Sequence, residues 1–198
     1  DGEKIVAVEV TEKQAYKIVV FNIMSGEKLF EFRSPENEFF SFPSFNNLGN
    51  KIVTTTISDK GNRLVLIDTE SGNTEYLTEP TYTDISSPVF WGENIVFVGA
   101  YSGINNLYVL DLDSKKIAQL TSVEYGLNDP FVTDEGVIVF TDYQSDGYRI
   151  VELEDRNENL IPLEKVEDNF VKLYEGLARQ ADTILDPGAI PKTDFPSK

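Results

Sequence analysis

The sequence predicts an all-β fold made of β-propeller blades: four-stranded antiparallel sheets in an incomplete or partial propeller, followed by a short C-terminal helix and a Pro-rich linker. Three observations predict it. The 198 residues contain short runs rich in β-branched and aromatic residues, polar turns separate those runs, and the whole arrangement returns at intervals of about 43 residues.

The period is read from three markers in a constant order. Ile5, Ile52, Ile95 and Ile138 each stand in an Ile-Val pair that opens a run, with steps of 47, 43 and 43 residues. A polar turn follows at Ser25-Gly26, Ser71-Gly72 and Ser114-Lys115, stepping by 46 and 43. A proline lies close to an aromatic ring at Pro43 and Phe45, Pro88 and Phe90, and Pro130 and Phe131, the prolines stepping by 45 and 42. Three independent markers sharing one period identify a repeat protein.

Each run is 6–8 residues long, as in KIVAVEV, YKIVVFNI, NIVFVGA and LYVLDL, and is bounded by Gly, Asn, Asp or Ser. That length and composition read as strands. Several runs are apolar at every position rather than alternately, as expected of strands covered on both faces. Four such strands in about 43 residues match a propeller blade, where neighbouring blades supply the double cover. Within GINNLYVLDLDSKKIAQLT, residues 107–112 and 116–121 are predicted to be the outer strands of one blade, joined by a hairpin turn at Asp111–Lys115. Asn22, Asp68 and Asp111 hold the same slot, where a short side chain can accept hydrogen bonds from the turn backbone. A calcium site at these turns would have at most two carboxylates each and no ligand spacing, so turn chemistry is the better reading.

Residues 1–163 are accordingly divided into about four blades, the first lacking its inner strand because the chain starts within the motif. Residues 164–185 are expected to be a helical or irregular segment: Val166, Phe170, Leu173, Leu177 and Ala181 stand at the spacing of a short amphipathic helix, with an extended strand at Asn169–Tyr174 as the alternative. Residues 186–198 carry Pro187, Pro191 and Pro196 and read as a semi-rigid linker to a further segment.

With 34 acidic and 17 basic residues the net charge is −17, which disfavours nucleic acid as a partner. No apolar run approaches the ~20 residues of a membrane helix, so direct membrane insertion by such a helix is not expected. The chain has no cysteine and no histidine, which excludes disulfides, thiolate metal sites and any His-dependent nucleophile built from this chain alone. No catalytic residue, metal ligand or cofactor is therefore assigned. The loops of the inner strands would line the mouth of the channel, which makes Asp84, Ser86, Ser87, Asn128 and Asp129 the candidate partner-binding residues. Tyr82, Tyr101, Tyr125 and Tyr143 lie near strand ends, and most are expected to pack between blades.

These units resemble the TolB-like family of β-propeller repeats. The resemblance rests on Asp1-Gly2 with Ile5, Pro88 and Phe90 with Ile95–Phe97, Leu107–Asp111, Ser71-Gly72, Leu77-Thr78 and Leu120-Thr121. The second and third units depart from it, with Leu48-Gly49 and Gly92-Glu93 in place of Asp-Gly, and the fourth lacks both Ser-Gly and Leu-Thr. The resemblance implies a non-enzymatic platform that binds or positions a protein or peptide; the alternative is the non-catalytic propeller of a multidomain serine or metallopeptidase. Tyr174–Pro196 is similar to a junction in large envelope proteins of Bacteroidetes-type bacteria, which implies a periplasmic or outer-membrane-associated location. Open blade edges would additionally permit self-association.

Overall fold

The computed structural model describes residues 2–12, 15–153 and 160–170. These residues fold into four successive antiparallel sheets. Blade 1 is β1 (Lys4–Val10), β2 (Tyr16–Asn22) and β3 (Lys28–Arg33), in that order. Blade 2 is β4 (Phe39–Phe45), β5 (Lys51–Ser58), β6 (Gly61–Asp68) and β7 (Thr74–Tyr76). Blade 3 is β8 (Ile85–Trp91), β9 (Asn94–Gly99), β10 (Asn106–Asp111) and β11 (Ile117–Gln119), and blade 4 is β12 (Leu127–Val132), β13 (Ile138–Gln144) and β14 (Gly147–Glu152). The two-residue β15 (Ile161–Pro162) then returns to pair antiparallel with β11 through Ala118↔Pro162 and Gln119↔Ile161.

Not every blade has the expected four strands: the sheets hold three, four, five and three. The fourth unit has neither the Ser-Gly turn nor the Leu-Thr ending, and among the described residues no strand pairs with the outer edge of β14. The chain instead completes the neighbouring sheet. In blade 1, β1 is an edge strand, with no inner strand beside it among the described residues.

Each blade packs on the next through an apolar layer. We call the side of a blade that faces its successor the forward face and the other side the back face. Ile18 and Val20 of blade 1 meet Ile52, Val65 and Ile67 of blade 2, and Val53 and Leu64 of blade 2 meet Ile95, Phe97 and Tyr108 of blade 3. Val96, Val98 and Leu107 of blade 3 meet Ile138 and Phe140 of blade 4. Alternate residues of β9 and β10 therefore serve different layers, and this is why their sequences are apolar throughout.

The hairpin turns follow the sequence reading. The Oδ1 of Asn22 accepts from the backbone N–H of Met24 and Ser25, both at 2.9 Å, and that of Asp68 accepts from Glu70 at 3.0 Å and Ser71 at 2.8 Å. Asp111 accepts from the N–H of Ser114 at 2.6 Å. The Ser71 and Ser114 N–H groups hold the carboxyls of Asp68 and Asp111 below their usual range. Asn22→Ala removes two of these bonds from an exposed turn and is expected to cost about 1 kcal/mol, read from the midpoint of chemical unfolding.

Past β15, the expected helix is not seen over its described part. Leu163–Lys165 form one 3-10 turn, Val166 leaves it in extended conformation (φ −71°, ψ 125°), and residues through 170 have no regular structure. Leu163 and Val166 pack against the layer between blades 2 and 3, and that contact competes with helix formation. The remainder of the predicted helix and linker, residues 171–198, lies outside the described residues. Gly103 (φ +95°) lets this segment lie against blade 3: a Cβ there would sit 2.8 Å from the Asn169 carbonyl carbon and the Phe170 nitrogen. Gly103→Ala is expected to lift residues 166–170 off the blade, so that trypsin cleaves after Lys165 faster while the unfolding midpoint changes little.

Candidate functional site

The inner strands β4, β8 and β12 share one irregularity. Their pairing with β5, β9 and β13 shifts register between Ser41 and Ser44, between Ser86 and Val89, and between Asn128 and Phe131. At each shift one residue is left-handed: Phe42 (φ 52°), Ser87 (φ 49°) and Asp129 (φ 53°). Each directly precedes a proline, a position where the proline ring ordinarily holds the chain extended. A left-handed Phe, in particular, is a strained conformation that persists only because the flanking ladders over-determine it. Bulges re-aim side chains and interrupt pairing, and here three of them come from consecutive blades.

They converge. Phe42 from blade 2, Ser86 and Ser87 from blade 3, and Asn128, Asp129, Thr141 and Tyr148 from blade 4 line one cavity of about 390 Å³. The amide of Asn128 is oriented by Asn105, whose Nδ2 donates to its Oδ1 at 3.1 Å. The lining thus presents hydroxyls, an oriented amide and one carboxylate beside the Phe42 ring, which is 53% exposed. Such a surface can hydrogen-bond a peptide backbone, receive a basic group at Asp129 and shelter an apolar side chain. It contains no base within reach of a hydroxyl that could generate a nucleophile of the Ser-His type, since the sequence has no histidine.

Of the five residues expected to bind a partner, Ser86, Ser87, Asn128 and Asp129 share this cavity. Asp84 does not line it: it is exposed, and its carbonyl accepts from the N–H of Ala100 at 3.0 Å. Phe42, Thr141 and Tyr148 were not anticipated. Phe42-Pro43 carries the same residue-before-proline signal as Ser87-Pro88 and Asp129-Pro130, whereas nothing in the sequence marks Thr141 or Tyr148. The tyrosines also depart from expectation. Tyr101 packs in the layer between blades 2 and 3, where burial pushes its hydroxyl up to about 12. Tyr82, Tyr125 and Tyr143, by contrast, are 84%, 50% and 45% exposed. Tyr82 and Tyr125 belong to surface connections, and Tyr143 lies on the uncovered face of blade 4.

No family model and no curated protein matches the chain. Solved structures do. TolB from Acinetobacter baumannii superposes with a TM-score of 0.65 at 17% identity, covering 82% of this chain and 41% of that one. A TolB structure from Agrobacterium tumefaciens gives 0.65 at 18% identity, with 82% and 61% covered. The β-propeller domain of the Trilobed protease from Pyrococcus furiosus, which has an open velcro topology, gives 0.51 at 15% identity, with 80% and 52% covered. The chain therefore spans less than two thirds of the length of each of these structures. The sheet order, the inter-blade layers and these superpositions together place its fold among the TolB-like β-propeller domains.

Proposed function

We propose that this chain is a non-enzymatic propeller segment that binds or positions a protein or peptide in the cell envelope, with the cavity of the three inner strands as the binding site. The observation that carries the reading is the convergence of Phe42, Ser87 and Asp129, three left-handed residues from three blades, on one cavity. Backbone strain repeated at one place is retained where the surface it shapes is used. The reading includes a periplasmic or outer-membrane-associated location, which is supported by the similarity of Tyr174–Pro196 to a junction in large envelope proteins. A second reading, the non-catalytic propeller of a multidomain peptidase, is favoured by the likeness to the propeller of the Trilobed protease.

Panning a random peptide library against the chain tests the first reading. Selected peptides are expected to lose at least tenfold in affinity with Ser87→Trp and with Asp129→Lys, and to bind unchanged when the distant turn variant Asn22→Ala is used. Peptides indifferent to both cavity variants, or no selectable binder, would refute it. Binding without hydrolysis of the same peptides is the further expectation.

A further inference from the structure

Three equivalent positions of the repeat carry three different chemistries. Phe42, Ser87 and Asp129 are the left-handed residues before Pro43, Pro88 and Pro130, and all three line the cavity of about 390 Å³. One backbone device thus presents a ring from blade 2, a hydroxyl from blade 3 and a carboxylate from blade 4. The sign of the cavity is equally definite. Strands β4, β8 and β12 contain no lysine or arginine, and Asp129 is their only acidic residue. No cation reaches the lining from the other strands. Asp129 is exposed, and among the described residues its carboxylate enters no ion pair. In a chain of net charge −17 the surrounding field reinforces this negative charge.

Taking the cavity as the binding site proposed above, we infer that the group it receives is the guanidinium of an arginine side chain on the partner peptide, paired with Asp129 and lying on the Phe42 ring. A guanidinium offers five N–H donors and no acceptor. The lining supplies acceptors to match: the Asp129 carboxylate and the hydroxyls of Ser86, Ser87 and Thr141. An acidic group would meet Asp129 with no cation to offset it, and an apolar one would desolvate the carboxylate without giving it a partner. Ligand cavities run from about 300 to 1,000 Å³, so this one has the size for a single side chain rather than a folded element.

The protein already holds one guanidinium in this manner. Arg63 lies 3.5 Å from the Tyr76 ring centroid and 2.7 Å from a Glu38 oxygen, and the Ser34 hydroxyl donates to the same carboxylate at 2.9 Å. Carboxylate, ring and serine hydroxyl are the set that Asp129, Phe42 and Ser87 repeat at the cavity. A lysine fits less well. Its ammonium is a point charge, whereas the planar fork of arginine can pair with a carboxylate through two N–H groups and still stack on an aromatic face.

Calorimetric titration of the chain with library-selected peptides tests it. The peptides that lose affinity with Ser87→Trp are expected to share an arginine. Replacing that arginine by citrulline, which keeps the shape and removes the charge, should weaken binding at least tenfold, and lysine should fall between the two. Asp129→Asn keeps a residue that tolerates left-handed backbone, so the circular dichroism spectrum and unfolding midpoint should not change. Against this variant the arginine and citrulline peptides are expected to bind within about twofold of each other, because their difference resides in the pair with Asp129. Peptides that need an open cavity but contain no arginine, or bind equally well with citrulline, overturn the inference and leave the cavity standing as a binding site. Peptides indifferent to Ser87→Trp, or no selectable binder, overturn both.

Discussion

Glu38→Ala is expected to be among the most damaging single changes, lowering stability by about 3 kcal/mol or more. Glu38 lies in the connection between blades 1 and 2 and is 3% exposed. Its carboxylate accepts from the Arg63 guanidinium at 2.7 Å, from the Tyr76 hydroxyl at 2.8 Å and from the Ser34 hydroxyl at 2.9 Å. Arg63 in turn stacks on the Tyr76 ring, 3.5 Å from its centroid. Removing the carboxylate leaves a largely buried guanidinium without its counter-ion, which costs more than the pair itself contributes.

The pH dependence has a definite sign. Burial opposes ionisation of Glu38, but hydrogen bonds from Arg63, Tyr76 and Ser34 outweigh it and hold the carboxyl below the ordinary value of 4.5. A carboxyl with a depressed folded-state pKa contributes stability that is fully present above the unfolded value and is lost as pH falls through the folded one. The stability gap between wild type and Glu38→Ala, measured by urea unfolding, should be constant near neutrality and narrow below about pH 4.5. A gap that stayed constant down to the acid limit would remove the ion pair from the explanation.

Phe97→Ala should have an effect of similar size, about 3–5 kcal/mol. Phe97 is central in β9, is 0% exposed and lies 5.9 Å from the Tyr108 ring in the layer between blades 2 and 3. Sheets on either side hold the cavity walls apart, so the surroundings cannot collapse into the space. Phe97→Leu keeps most of the volume and should lose much less. Equal losses for both variants would show that the ring's shape, rather than cavity formation, sets the cost.

Much of the fold was legible because its signals are local and repeated. Runs such as KIVTTTI and NLYVLD carry their own strand propensity, and Asn22, Asp68 and Asp111 mark turns through bonds to residues two or three positions away. The candidate cavity was half legible: residues before proline mark where the inner strands pass the cavity, and four of the five chosen residues line it. The remainder depends on tertiary structure. The pre-proline rule predicts extended backbone at Phe42, and only the ladders on either side hold it left-handed. Thr141 and Tyr148 reach the cavity through the register of β13 and β14, which no local motif encodes. Glu38 lies in SPENE, which reads as a solvated loop, yet the packing of blade 2 buries it. The two residues of β15 are too few to register as a strand, and their partner is more than 40 residues earlier in the chain.

That last distance has a consequence for synthesis. Ribosomes extend a chain by roughly 5–20 residues per second, so β11 leaves the exit tunnel a few seconds before the residues that will pair with it. Throughout that interval the outer edge of blade 3 has unpaired backbone donors and acceptors, and another nascent chain could use them as a template. Slow translation between codons 120 and 160 would lengthen the exposure, whereas rapid passage would shorten it. The vulnerable period of this protein is thus set by the tempo of its own messenger RNA over one short stretch, and synonymous changes there could alter its yield without altering a single contact in the finished molecule.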